Sequence, residues 1–481
     1  MTHNPLHSKR ILSRRGFMKL AACLSLTAPV LGCVPSATDG ADGPLSPFQL
    51  WLSLIRNAGA PISSTPTVLV IGAGMAGLAA AKQLQLQGTA VRILEARNRT
   101  GGRIHTDRSL GIPVDMGASW IHGPQGNPIT ALAQAAGAGT YLTDDESLVV
   151  YDAQGNEISD SVMDAAYAQY LELMEQVDDE ATPDQSLAQA IAAIDPTFLT
   201  DPVMIYQLSA YAEFDAGGAI EVLNAAEWDE DEAYPGADVL LPSGYDALVD
   251  HLAQGLDIHL EHVVQQIHIT DSGVEVQTNQ GTFVAEYCIC TLPLGVLKAG
   301  AVTFDPPLPV AFQEAIAKVG LGHVNKIALR FPVRFWDDEL QYVGYTAPIK
   351  GQYPYIMNVS KFVPGVNMLM TFALGAYGLV TETQTNEQIQ NDVMAMLRTI
   401  YGDVPAPDGV LVSRWTQDPY SQGSYSLAGV ETRAGHFEQF AENVAGRLFF
   451  AGEHTTARHR STVHGAYNSG LRAADAILAR R

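Results

Sequence analysis

Cysteine is nearly absent from this chain, with four residues in 481. Two of them, Cys23 and Cys33, fall within the N-terminal leader region. The other pair, Cys288 and Cys290 in EYCICTLP, alternates along an expected strand and so faces one side of it. That spacing suits no disulfide, and no partners for a metal site lie nearby, so core thiols and no metal are expected. Basic residues are also scarce: 28 Lys and Arg stand against 52 Asp and Glu, a formal net charge of −24. Such a surface repels nucleic acid and anionic lipid. It leaves two readings open, plain solubility and attraction of cations, polycationic small molecules among them. No internal repeat, HExxH or paired CxxC occurs. What remains, 47% hydrophobic and 17% charged over 481 residues, describes a globular protein large enough for two domains.

The first 32 residues read as an address. The basic stretch HSKRILSRRGFMK precedes the apolar run LAACLSLTAPVLG, which is too short to span a bilayer permanently. SRRGFMK resembles a twin-arginine export signal, a route that carries folded proteins, often with cofactor bound. VLGC resembles the lipobox of bacterial lipoproteins, which would make Cys33 a lipidated first residue; ordinary cleavage a few residues later is the alternative. Residues 33–66 then read as a linker into the first strand.

The chemistry starts at Thr67. TVLVIGAGMAGLAAAKQLQLQGTAVRILEAR gives a buried strand, a glycine turn, a helix and a second strand, with Gly72, Gly74 and Gly77 in GxGxxG register. Glu95 closes the second strand about twenty residues on, where an acid binds the ribose hydroxyls of an adenine dinucleotide. The helix start, with Ala76 in its first turn, would stabilise a pyrophosphate. At the other end of the chain, RLFFAGEHTTARHRSTVHGAYNSGLRAADAIL opens a closing helix with small and polar residues. Its first turn is thereby open to a ligand, with Thr462 as N-cap.

NAD and FAD are not separated by these motifs; the flanking segments separate them. EARNRTGGR resembles the second dinucleotide motif of the flavin-containing amine oxidases, and DMGASWIHGPQGNP resembles the matching segment of spermine and acetylpolyamine oxidases. LGHVNKIALRFPVRFWDDE, SRWTQDPYSQGSYS and the C-terminal segment extend the resemblance from Val68 to the end, most closely to polyamine oxidases and lysine-specific histone demethylases. Residues 126 to 240 match only loosely.

The resemblance implies FAD, held by Arg97, Gly102 and Arg103 near the pyrophosphate and by Gly117, Ala118, Ser119 and Trp120 beside the ring. It implies a backbone contact from Val264 to the adenine. Gly452 and Glu453 fall on the ribityl and phosphate portion, Thr462 and Val463 beside the ring, and Trp415 packs near it. Lys326 is implied as the active-site lysine holding a water near the flavin, and Tyr425 as an aromatic wall that confines the amine. Thr462 stands where monoamine oxidases carry a second tyrosine, and Ser424 where they carry the cysteine that tethers the flavin; FAD is therefore expected to be non-covalent. His122 matches a pocket histidine, with an ordinary loop histidine as the alternative. Glu213 and Asp215, with the acidic run Asp229 to Glu232, fall near the expected substrate funnel, where they would attract cations; for the WDEDE run a solvated loop is the alternative.

The fold expected is α/β: a discontinuous Rossmann-like FAD-binding domain from residues 67–125, 243–300 and 440–481, plus a mixed-sheet and helix substrate-binding domain from 126–242 and 301–439. The function implied is an exported FAD-dependent amine oxidase, periplasmic or in the cell envelope, using molecular oxygen and a polyamine. The amine presents its alpha carbon as the neutral base, loses a hydride equivalent and leaves an imine that water hydrolyses. An L-amino-acid oxidase would need an arginine clamp that no motif identifies. A monoamine oxidase is disfavoured by Thr462 and Ser424, a demethylase by export and the lack of a long inserted helix. A flavoprotein that binds without turnover is disfavoured by Lys326 and Tyr425.

Overall fold

The computed structural model describes residues 67–481. The leader, Cys33 and the linker to residue 66 lie outside the described residues, so the export and lipidation expectations find no structural counterpart. Among the described residues no helix is long and apolar enough to cross a membrane.

Strand Val68–Ile71 is buried along its whole length. Its alternate residues feed two different cores: Val68 and Val70 face the helices Met75–Leu86 and Val463–Leu478, while Leu69 and Ile71 face the four-stranded sheet around Val264–Thr270. A continuous apolar run, rather than an alternating one, is what a parallel strand covered on both faces requires. It sits inside a six-stranded sheet in the order Asp257–His259, Val91–Leu94, Val68–Ile71, Tyr287–Cys290, Leu448–Phe450, Asn443–Val444. The first five are parallel and the last is antiparallel. Cys288 and Cys290 are buried in one core as free thiols, and burial pushes the Cys290 thiol up to about 12.

The segment DIHLEHVVQQIHI reads from its sequence as paired short strands with a hydrophobic face, and the structure corrects that reading. The segment is not a pair of strands bonded to each other. Asp257–His259 joins the parallel sheet, whereas Val264–Thr270 pairs with Gly273–Thr278 and Thr303–Asp305 in another sheet. The turn between them, with Glu261 at φ +59°, redirects the chain.

A second, seven-stranded sheet carries the other half of the molecule, in the order Gly409–Val412, Val324–Arg330, Met368–Leu374, Gln352–Asn358, Tyr342–Tyr345, Leu148–Tyr151, Glu157–Ile158. All its pairs are antiparallel except Tyr342–Tyr345 with Leu148–Tyr151. Helix Asn386–Tyr401 covers one face with Ile389, Val393 and Leu397, and starts in a capping box of Thr385 and Gln388. Helix Asp160–Glu180, 21 residues long, packs its tyrosine-rich stripe in a separate core.

Candidate active site

A cavity of about 390 Å³ opens where the C-terminal ends of the parallel strands meet the face of the seven-stranded sheet that carries Lys326 and Phe372. Ligands of open α/β sheets gather at such strand ends. The glycine turn after Val68–Ile71 forms one wall. Gly72 adopts φ +99°, and a Cβ on Gly77 would stand 2.0 Å from the Gly72 carbonyl oxygen. Gly77 is therefore fixed by helix-to-turn packing and, unlike Gly72 and Gly74, does not line the cavity. Glu95 lies at the cavity wall, its carboxylate accepting from the Ala73 N–H at 2.7 Å and the Arg97 N–H at 2.8 Å. Burial raises its pKa, and those two N–H groups oppose the rise.

Across the cavity, helix Val463–Leu478 points its first turn inward. Thr462 caps it, its hydroxyl accepting from the Gly465 N–H at 2.9 Å and donating to the His459 carbonyl at 2.8 Å. Glu453 lies in the short turn before that helix with both oxygens engaged. Oε1 takes Arg103 Nη1 at 2.8 Å, and Oε2 takes the Ser426 hydroxyl at 2.6 Å and N–H at 3.2 Å. Burial alone would raise the Glu453 pKa, but the Arg103 charge and these hydrogen bonds hold it below the usual carboxylate range. Arg97 is gripped by both oxygens of Asp418 at 2.7 Å.

Lys326 is central. It sits in the middle of strand Val324–Arg330, between Met368–Leu374 and Gly409–Val412, and is 6% exposed. Its Nζ donates to the Asp115 carbonyl at 3.0 Å and to the Ser119 hydroxyl, and lies 5.1 Å from the Trp120 ring centroid and 5.8 Å from that of Phe372. Burial brings its pKa down to about 8, partly opposed by the Asp115 carboxylate. By residue type alone, a lysine here reads as a surface residue on an edge strand; its burial excludes that.

Tyr425 closes the same region, its hydroxyl donating to the Phe214 carbonyl at 3.2 Å. Trp415 Nε1 donates to the Met116 carbonyl at 3.2 Å, which fixes its indole beside Gly117. His122 reaches the wall with Nδ1 2.6 Å from Asp238 Oδ2. Of the residues assigned from the sequence, Gly72, Gly74, Ala76, Glu95, Arg97, Gly102, Arg103, Gly117, Ala118, Ser119, Trp120, His122, Asp215, Val264, Lys326, Trp415, Tyr425, Gly452, Glu453, Thr462 and Val463 all line this one cavity. Glu213 does not. It is 1% exposed and paired with Lys350 at 2.8 Å, so its expected contact with substrate is incorrect. Asp238, Asp418 and Thr291 were missed by the sequence reading. Asp418 lies within SRWTQDPYSQGSYS but was given no role there, Asp238 stands outside every quoted motif, and Thr291 joins the glycine turn only across the sheet, its hydroxyl donating to the Ile71 carbonyl at 2.6 Å.

The arrangement fits a dinucleotide with a ring system. A glycine turn and helix start lie at one end, a carboxylate suited to ribose near them, and a second capped helix with the lysine and aromatic wall at the other. Among the described residues no cluster suits a metal ion.

Known proteins agree with this arrangement. The family described as flavin containing amine oxidoreductase matches residues 75–478. Polyamine oxidase 4 of Oryza sativa subsp. japonica is 36% identical over 435 residues, covering 86% of this chain and 88% of that protein. Polyamine oxidase 2 of Arabidopsis thaliana is 36% identical over 433 residues, covering 85% and 88%. Lysine-specific histone demethylase 1B of Mus musculus is 31% identical and covers 86% of this chain, which spans 53% of that longer protein. A solved structure of a putrescine oxidase, redesigned for cofactor binding, superposes with a TM-score of 0.73 at 19% identity, over 86% of this chain and 99% of that one, a likeness of fold.

Proposed function

The chain belongs to the flavin-containing amine oxidoreductase family and is an amine oxidase with FAD as its cofactor, and we propose that its substrates are polyamines. The reaction in this reading converts a C–N bond to an imine, which water hydrolyses to an aldehyde and an amine, while oxygen becomes hydrogen peroxide. Bound FAD supplies the two-electron oxidation.

The protein's own contribution is binding, orientation and proton placement. One observation carries the substrate class: Asp215, Asp229 and Asp231 line the cavity that also holds Lys326 and Tyr425, beside Asp238, which His122 engages. Carboxylates at a cavity wall in a chain of charge −24 favour a ligand with several positive charges. The arginines lining the cavity, Arg97, Arg103 and Arg460, are already committed. Arg460 donates to the carbonyls of Glu227, Trp228 and Glu230, so none stands as a carboxylate clamp for an amino acid. The plant relatives are named polyamine oxidases, which agrees with this reading.

Lys326 in this reading holds a water at the cavity. Two of its donors are fixed by Asp115 and Ser119, and a pKa near 8 lets it keep or release a proton close to neutral pH. Tyr425 confines the amine, and Thr462, without a second tyrosine, leaves a wider throat. Ser424 carries a hydroxyl that accepts from the Val324 N–H at 2.7 Å, and with no thiol there FAD is held non-covalently. We assign the parallel-sheet portion to FAD and the seven-stranded portion to the amine. The leader resemblance leads us to propose export by the twin-arginine route, with lipidation at Cys33 decided by fractionation.

The test is peroxide release by the purified protein against spermine, spermidine, putrescine, acetylated polyamines, tyramine and L-amino acids. Turnover with tyramine or an amino acid, and none with any polyamine, rejects the substrate class.

A further inference from the structure

The chain enters the amine end of the cavity wall in an uncommon conformation. Leu208–Glu213 form one π-helical turn between helix Pro202–Gln207 and the short turn Phe214–Ala216. Such a turn holds one residue more than the α-helical register, and it persists where outside contacts hold it; functional sites are its usual setting.

Here the contacts are those of Glu213, which ends the turn. Its Oε1 accepts from Lys350 Nζ at 2.8 Å and from the Ile220 N–H at 3.1 Å, and Oε2 accepts from the Ser209 hydroxyl at 3.3 Å. Lys350 comes from the loop between strands Tyr342–Tyr345 and Gln352–Asn358, and its ammonium also meets Glu221 at 2.6 Å. The Gly351 N–H in that loop donates to the Ser209 hydroxyl at 3.3 Å, a second tie to the same turn. Neither Glu213 nor Lys350 lines the cavity, but the two residues after Glu213 do.

Phe214 packs on Phe372 and Trp120, with ring centroids 4.9 and 6.1 Å away, and Asp215 succeeds it at the wall. The segment is fixed from its other side by Tyr425, whose hydroxyl bonds the Phe214 carbonyl. Gly217, at φ +73°, lies so close beneath the Tyr425 ring that a Cβ would stand 2.3 Å from Cε2. Relaxing the π turn to α register would remove one residue from it and rotate the residues after Glu213 by about 100°. Phe214 and Asp215 would leave the wall. An ion pair whose acid is buried adds little net stability compared with apolar packing, but it ties a segment to one register.

We propose that Glu213 and Lys350 are positioning residues for the amine: their ion pair, with the carboxylate buried and the ammonium half-buried, fixes the π turn, places Phe214 and Asp215, and so sets substrate affinity without touching substrate. The inference rests on the amine oxidase activity, and on the polyamine reading only through the probe used. FAD-loaded Glu213→Gln, Lys350→Met and the double variant are compared by anaerobic stopped-flow flavin reduction with spermidine, and then by oxygen-driven reoxidation. Expected is a rise of fivefold or more in the spermidine concentration for half-maximal reduction in either single variant, and no further rise in the double, because one interaction is lost in all three. FAD content and reoxidation rate stay within twofold of wild type, and Lys350→Arg restores half-saturation. Unchanged half-saturation, or an equal loss in both half-reactions, overturns the proposal.

Hydrogen exchange of the FAD-loaded protein reads it without turnover. Amides within residues 208–220 should exchange faster in Lys350→Met, while those of the parallel sheet do not change. Unchanged exchange in 208–220 overturns it whatever the amine assay shows. If spermidine fails to reduce the wild-type flavin, the polyamine reading falls, and the exchange result alone decides the ion pair.

Discussion

Replacing Lys326 with methionine should separate the cost of burying its charge from the work it does. A lysine whose pKa is about 8 in the fold and 10.5 when unfolded binds its proton about 3 kcal/mol less well in the folded state. The folded protein carries that cost wherever it must hold the ammonium, below about pH 8. As pH rises from 8 toward 10.5 the unfolded chain keeps the proton that the fold has released, so wild-type stability climbs. Methionine of similar length has no such dependence but loses the hydrogen bonds to Asp115 and Ser119, about 1 kcal/mol each. The variant should therefore be more stable by about 1 kcal/mol near pH 7 and less stable by about 1 kcal/mol near pH 10. Burial holds the Asp115 carboxyl at about 6, and removing the lysine charge raises it further, so the comparison belongs above pH 7. Urea unfolding of both proteins in saturating FAD across that range measures the difference. A difference that stays flat with pH would refute the claim that this ammonium is desolvated. In the same variant, stopped-flow reoxidation by oxygen should slow while FAD remains bound; an unchanged rate removes Lys326 from the proton placement assigned to it.

Acid precipitation should release all the yellow colour as free FAD, since Ser424 offers no thiol; colour left in the pellet contradicts this. Glu95→Ala should weaken FAD binding by about 10-fold to 100-fold, the worth of one or two charge-assisted hydrogen bonds, with the amine preference unchanged, as read by FAD titration of the apoprotein. Arg103→Met leaves Glu453 buried without its cationic partner, held only by Ser426, costing about 3–5 kcal/mol at neutral pH. Because wild-type Glu453 lies below the usual carboxylate range, its contribution is complete above that range and lost as pH falls, so the gap between variant and wild type should narrow toward acid in urea unfolding. Arg14→Lys with Arg15→Lys should retain the protein in the cytoplasm, and Cys33→Ala should shift it from membrane to soluble fractions where the lipobox is used; cell fractionation reads both.

Features that depend on neighbours along the chain are legible in the amino-acid order alone. The strand, glycine turn and helix from Val68 to Leu86 arise from an apolar run and glycine spacing, and Thr462 reads as a cap because it precedes the helix it closes. Cys288 and Cys290 share a face because strand side chains alternate. Lys326 was different: its residue type on a strand suggests a surface, and only a family resemblance pointed inward. The remaining features depend on contacts between distant segments. Glu213 looked like part of an acidic funnel mouth, yet Lys350, 137 positions away, draws it into the interior, while its neighbour Asp215 stays at the wall. Arg97 with Asp418, His122 with Asp238 and Arg103 with Glu453 are likewise pairs set by how two sheets meet. Backbone propensity and periodicity act over a few residues, so they specify elements; a charge buried between elements is settled only when folding brings a partner within hydrogen-bond reach.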